Sequence, residues 1–307
     1  MAMPAMVGQE SREQWVFVGS DIILGRFHCP PGGPGWDEDR AAPQGHLITF
    51  PTSSCWIHQD GSEPVVADPA TSIFYNPGTM YRRTLLDPRG DHCLYLVTAP
   101  ELTRECASEW DRSAAQADAY RFPHPTGPVD GRAAALLHVV HRAALTRAGR
   151  DPLAMEEALY AALRAAVRGV IRRSSPARTP ERMATRRTHA ETVEMVKAVV
   201  ARRFAERLTL ADLAAQVFSS PYHLSRVFRS TTGSSIHAYR ARVRLQRSLG
   251  QIADRDVDLG WLAERLGFAD HSHFTNAFHR TFGLSPSSFR RRVRTAAVDE
   301  MRTILQV

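Results

Sequence analysis

The sequence predicts a two-domain α+β chain. A small N-terminal β-barrel ends in a helical hairpin, and an all-α domain follows with two helix-turn-helix units joined by a long helix. Three observations predict this. Residues 15–100 alternate short apolar runs with clusters of Gly, Pro, Asp and Ser. From residue 129 onward the text turns to Ala/Leu-rich stretches with helical spacing. In the last hundred residues one pattern occurs twice, 50 positions apart.

The apolar runs are WVFVGSDIILG, HLITF, CWIH, PVVAD, SIFYN and CLYLV, separated by segments such as CPPGGPGWDED, QDGSEP and YNPGT. Many short strands between strong turn signals argue for a sandwich or small barrel over residues 15–128. Residues 1–14 are expected to be disordered, and 101–122 look helical. Residues 129–173 form two helices, with Pro152 near the start of the second, after the Gly149-Arg150-Asp151 break. Each helix has one apolar side to pack on the barrel or on a partner chain, and the hairpin is expected to dimerise. The polar, basic, twice-proline segment 174–188 reads as a linker. The helical domain then spans 189–293 and a tail spans 294–307.

A chain of 307 residues is long enough for two ordinary cores. No apolar run approaches the ~18 residues that span a bilayer, and the start lacks a signal-peptide pattern, so a cytoplasmic location and no membrane partner are expected. Cys29, Cys55, Cys93 and Cys106 are widely spaced and form no C-x-x-C pair, which favours packed thiols over a disulfide framework or zinc site. Charge is unevenly spread: residues 1–128 carry a net −7, 129–174 a net +4 and 175–307 a net +10. An acidic front and a basic back suggest that the back half meets a polyanion. Of the 39 cations only Lys197 is a lysine, and arginine suits forked contacts to phosphate and guanine.

The repeat lays YHLSRVFRSTTGSS (222–235) over SHFTNAFHRTFGLS (272–285). Each copy follows a short helical stretch, LADLAAQVF or DLGWLAERLGF, so the unit is helix, tight turn, helix. Thr209 and Asp258 suit the N-caps of the leading helices; Ser220 with Pro221, and Asp270, suit those of the second. At 100° per residue, Leu224, Val227, Phe228 and Thr231 share a face, as do Phe274, Ala277, Phe278 and Thr281. Tyr222, Ser225, Arg226 and Arg229 face away in one copy, and Ser272, Thr275, Asn276 and His279 in the other. Core positions match while outward positions differ, as expected of two readers of different sequence on one scaffold. His271, His273 and His279 cannot hold one tetrahedral metal: the outer two lie ~12 Å apart along the axis, and His271 and His273 diverge by about 200°. The segment 235–253, a candidate helix of ~28 Å, carries Arg240, Arg242, Arg244 and Arg247, read equally as phosphate contacts or as a solvated face.

These residues resemble the AraC/XylS family of bacterial transcription regulators over about 100 positions, roughly 190–293. The most specific part is GFADHSHFTNAFHRTFGLSPSSFRR. The resemblance implies binding of double-stranded DNA in two adjacent major grooves per monomer, commonly with transcription activation and RNA polymerase as a partner. Carried over by position, the DNA-contacting residues are Tyr222, Ser225, Arg226 and Arg229, then His271, Ser272, Thr275, Asn276 and Arg280. Two departures stand out. Phe218 occupies the place of a turn glycine, and Asn276 replaces a common arginine, which favours adenine over guanine at that contact.

The front half more weakly resembles the cupin-like effector and dimerisation domain of the same family, through FYNPGTMYRR (74–83), with Tyr81 where a metal-binding histidine would stand. The H-x-H motif is absent, so no metal set, no cofactor and no catalytic residues are expected. What remains is a barrel able to hold a small-molecule effector, with His46, Trp56, His58, Tyr75, Tyr81 and Arg83 as candidate pocket residues. The expected protein is a homodimeric, effector-responsive activator and not an enzyme. Two alternatives stay open: a metal- or redox-sensing regulator using His28-Cys29, Cys55 and His92-Cys93, and a cupin enzyme fused to a DNA-binding domain.

Overall fold

The computed structural model describes residues 12–146, 151–173, 183–254, 256–298 and 300–301. The apolar runs become strands because β-branched and aromatic residues alternate there between turn-forming segments. They are β1 (Arg12–Val18), β2 (Ile22–Cys29), β3 (Arg40–Ala41), β4 (His46–Pro51) and β5 (Cys55–Gln59), then β6 (Val65–Ala67), β7 (Thr71–Tyr75), β8 (Met80–Leu85), β9 (Asp91–Thr98) and β10 (Thr126–Pro128). One antiparallel sheet has the order β1-β2-β9-β4-β7-β10 and the other β3-β8-β5-β6. They face each other around an interior cavity. The run WVFVGSDIILG is two strands, bent at Gly19-Ser20-Asp21. In β2, Gly25 leaves room for the ring of Tyr95 on the neighbouring strand: a Cβ there would stand 2.1 Å from its Cζ.

Helices α1 (Pro100–Ser108) and α2 (Arg112–Gln116) follow the barrel. Then come α3 (Gly131–Leu145) and α4 (Pro152–Arg172), capped by the carboxylates of Asp130 and Asp151. The helical domain comprises α5 (Met183–Arg203), α6 (Leu210–Gln216), α7 (Pro221–Thr232), α8 (Ile236–Asp254), α9 (Leu259–Arg265), α10 (His271–Phe282) and α11 (Pro286–Thr295). Two cores result. The larger joins the outer side of the six-stranded sheet (Ile22, Ile48, Phe74, Leu96) to α3, α4 and the second helix-turn-helix unit. The smaller holds the first unit around Val196, Leu213, Leu224 and Phe228 and includes Ala70 of the barrel.

The structure corrects several expectations. The Ala/Leu face of the 129–173 hairpin is spent inside the chain: α3 packs on α4, α8, α10 and α11, and ten of its residues are buried. That face is therefore unavailable for dimerisation. The 174–188 linker is shorter than expected, because 183–188 already belong to α5; 174–182 lie outside the described residues. Arg12–Gln14, within the 1–14 stretch expected to be disordered, are in β1, and 1–11 lie outside the described residues. The tail is partly structural, since Val298 and Met301 are buried in the larger core. No helix among the described residues is long and apolar enough to cross a membrane.

Two buried contacts tie the barrel to the helical domain. Arg247 of α8 is 5% exposed, lies 4.4 Å over the ring of Phe204, and donates to Asp87 of the β8–β9 turn at 3.0 Å. Tyr239 of α8 donates to Asp68 of the barrel. Arg240 and Arg244 are likewise occupied, donating to Phe204 O at 3.0 and 2.7 Å. The arginines of α8 thus serve largely as structural donors, leaving Arg242 as the phosphate candidate.

Removing one partner of a buried ion pair strands the other. Asp87→Ala is expected to cost about 3–5 kcal/mol, read as a lowered urea midpoint. Acid sensitivity has a second source. His138 of α3 is held down to about 4, first by burial and then by the charge of Arg26. The folded chain takes up this proton less readily than the unfolded chain. Stability from this group is therefore full above pH ~6.5 and is lost as pH falls towards 4, by up to ~1.4 kcal/mol per pH unit. Urea midpoints between pH 4 and 7 should fall less steeply in His138→Gln than in the parent.

Candidate nucleic-acid interface and ligand cavity

Each helix-turn-helix unit is built by its caps. Thr209 accepts from the amide of Asp212, whose carboxylate accepts the Thr209 amide in return, closing a capping box on α6. Asp258 accepts from Trp261 N at 2.7 Å and starts α9. Ser220 accepts from His223 N at 3.2 Å and starts α7; Asp270 accepts from His273 N at 2.7 Å and starts α10. Gly233 and Gly283 end α7 and α10 in left-handed conformation.

The turns between the helices are closely alike. Ser219 N donates to Ala214 O at 2.9 Å, and Phe268 N to Ala263 O at 3.0 Å. The residue before each donor is left-handed: Gly267 at φ 79° and Phe218 at φ 50°. Phe218 therefore occupies the glycine position in geometry as well as in sequence. Glycine takes this conformation freely, and an L side chain pays for it. The first turn is also one residue shorter, so the repeat offset moves from 49 to 50 within it. Where the second unit buries Phe268, the first has Ser219, and the Phe218 ring is 97% exposed.

On α7, Leu224, Val227 and Phe228 are buried; Tyr222, Ser225, Arg226 and Arg229 are exposed. On α10, Phe274, Phe278 and Phe282 are buried; His271, Ser272, Asn276, His279 and Arg280 are exposed, and Thr275 is half-buried. Thr231, Ala277 and Thr281, expected in the core, sit half-buried at its margin. His271 Nε2 lies 3.4 Å from Thr275 Oγ1 one turn on, and Arg280 Nε reaches Asn276 O at 3.4 Å. The two helices thus present polar, unlike faces on equivalent supports.

The barrel cavity measures about 740 Å³. Tyr75, Tyr81 and Arg83 line it, with Tyr95, Cys55 and Asp91. Arg83 is 4% exposed, donates to Asp91 at 2.9 Å and lies 4.3 Å over Phe27. His46, Trp56 and His58 are not in the cavity lining, because strand alternation turns them away. In β5, Cys55 and Ile57 point inward while Trp56 packs toward Ala198 and Ala201 of α5, and His58 lies 3.4 Å from Thr84 Oγ1. In β4, Leu47 and Thr49 point inward while His46 bonds to Tyr120 O at 3.1 Å beside Phe122. The alternation within CWIHQ and HLITF carried this information. Asp91 was missed because its partnership with Arg83 forms only when β8 and β9 enter different sheets.

The same alternation divides the metal or redox alternative. Cys93 lines the cavity, whereas His92 stacks on His28 at 4.1 Å and lines a cleft on the other side. Burial pushes the thiols of Cys29, Cys55 and Cys93 up, disfavouring the thiolate. Among the described residues no group of three His, Cys, Asp or Glu could hold a metal ion.

The family described as a helix-turn-helix domain matches residues 213–292. The Msm operon regulatory protein of Streptococcus mutans is 30% identical over 102 residues, 33% of this chain and 37% of that protein. The regulatory protein PocR of Salmonella typhimurium is 25% identical over 123 residues, 39% of this chain and 41% of that protein. The chain thus spans less than half the length of these curated relatives. Among solved structures, apo ToxT of Vibrio cholerae aligns with 90% of this chain and 98% of its own at 11% identity, with a TM-score of 0.35, too low to carry an argument.

A prediction follows from the turn. Phe218→Gly relieves the left-handed strain and removes no buried surface. It is expected to stabilise the chain by about 0.5–1 kcal/mol, seen as a raised urea midpoint.

Proposed function

We propose, from a C-terminal domain that is a helix-turn-helix domain of the AraC type, that the chain is a sequence-specific DNA-binding regulator of transcription. The carrying observation is the pair of exposed, chemically unlike helix faces on α7 and α10, joined by the 19-residue helix α8. A rigid spacer of ~28 Å suits two reading helices entering successive major grooves on one side of a duplex, whose turn is ~34 Å. In this reading Tyr222, Ser225, Arg226 and Arg229 contact one half-site. His271, Ser272, Thr275 and Asn276 contact the other, with Arg280 nearer the backbone. The barrel cavity, mostly apolar with a buried Arg83–Asp91 pair, supports an organic effector. Activation through RNA polymerase, a homodimer and a cytoplasmic, non-enzymatic role complete the reading. A dimer would have to use a surface other than the buried α3 face.

The test is a hydroxyl-radical footprint of the full chain on the DNA upstream of its own gene, across a salt series. Paired protections one helical turn apart on one side are expected, weakening steeply with salt as counterions are released. A single protected groove would show that one unit alone docks. Arg226→Ala is expected to cost about 1–3 kcal/mol on the specific site and to relax sequence preference. An unchanged ratio of specific to random binding would remove Arg226 from base reading.

A further inference from the structure

A second cavity, about 500 Å³, lies between barrel and helical domain. Arg26, Arg89 and His92 wall it from the barrel; Arg247, Trp261 and Arg265 wall it from the helical side. No aspartate or glutamate stands among its described lining residues. Behind the wall, Asp87 alone serves two guanidiniums, bonding Arg247 at 3.0 Å and Arg89 at 2.7 Å. Arg26 and Arg265 have no ion pair among the described residues, and both are exposed. Arg247 is almost wholly buried, yet its Nε has no hydrogen-bond partner.

Four guanidiniums converging on one carboxylate leave a surplus of positive charge in a partly desolvated space, where charge acts at lower dielectric than in water. Such an arrangement is stabilised by an anion. The field is felt next to the cleft: His138, a lining residue, is held down by burial and then by Arg26. Trp261 is 48% exposed and carries Arg265 at 4.7 Å over its ring, so an aromatic surface adjoins the cations.

We propose that this cleft is a binding site for a small phosphorylated molecule, its phosphates held by Arg26, Arg89 and Arg265, with Arg247 at the floor. Forked arginine donors match phosphate oxygens, and several together select a multiply charged ligand over chloride. The site joins both domains, so occupancy strengthens their docking. It is separate from the barrel cavity and from the α7 and α10 faces.

The probe is inorganic pyrophosphate, titrated into the full chain by calorimetry at constant ionic strength without DNA. Saturable binding of one pyrophosphate per chain is expected, with a fluorescence change lost in Trp261→Phe. The double substitution Arg26→Gln and Arg265→Gln, both exposed side chains, should weaken binding by about tenfold or more while leaving the urea midpoint within experimental error. Arg89→Gln gives an independent check in the same direction. Absence of saturable binding, or binding that survives the double substitution, overturns the proposal. Binding lost equally in Arg226→Ala would place the anion on the α7 face and also overturn it. If the double substitution weakens DNA binding and pyrophosphate does not bind, these arginines hold DNA phosphates and the cleft is no small-molecule site.

Discussion

Burial of helix α3 is the constraint on which the rest of the structure depends. Its small residues, Ala133 to Ala135 with Ala143 and Ala144, allow close approach on several sides at once. The barrel's six-stranded sheet, α4, α8, α10 and α11 therefore share one continuous core. A helix with bulkier residues at these positions would hold the elements apart. The chain then behaves less as two beads on a linker than as a barrel with the second helix-turn-helix unit set into its side.

The two units are consequently held in different ways. The second is fixed through the larger core, by Phe274, Phe278, Phe282 and Phe289. The first has its own smaller core and touches the barrel through Ala70 and the Tyr239–Asp68 bond. It also has the strained, shorter turn at Phe218. Strain and a small core both lower local stability, so the first unit is physically the softer of the pair.

One short segment connects cavity and helical domain. Arg83 ends its reach at Asp91, which opens β9, and four residues earlier Asp87 holds Arg247 of α8. The turn between β8 and β9 carries the chain from one sheet to the other. A change at the Arg83–Asp91 pair thus acts on the same turn that grips α8. Burial of both pairs makes their geometry exacting, because an unpaired charge there has no water to turn to.

Local pattern decided much of this. The strand runs, the caps at Thr209, Ser220, Asp258 and Asp270, the duplicated unit and the outward faces of α7 and α10 all follow from periods of 2 and 3.6 and from short-range hydrogen bonding. Those signals lie within a few residues of the atoms they govern. The tertiary structure decided what lies far apart in the chain. It turned His46, Trp56 and His58 away from the cavity, paired Arg83 with Asp91, occupied Arg240, Arg244 and Arg247, and spent the α3 face inside the monomer. Periodicity tells which residues share a face, but only packing tells what that face meets, since partners for a buried charge or an apolar stripe come from anywhere in the sequence.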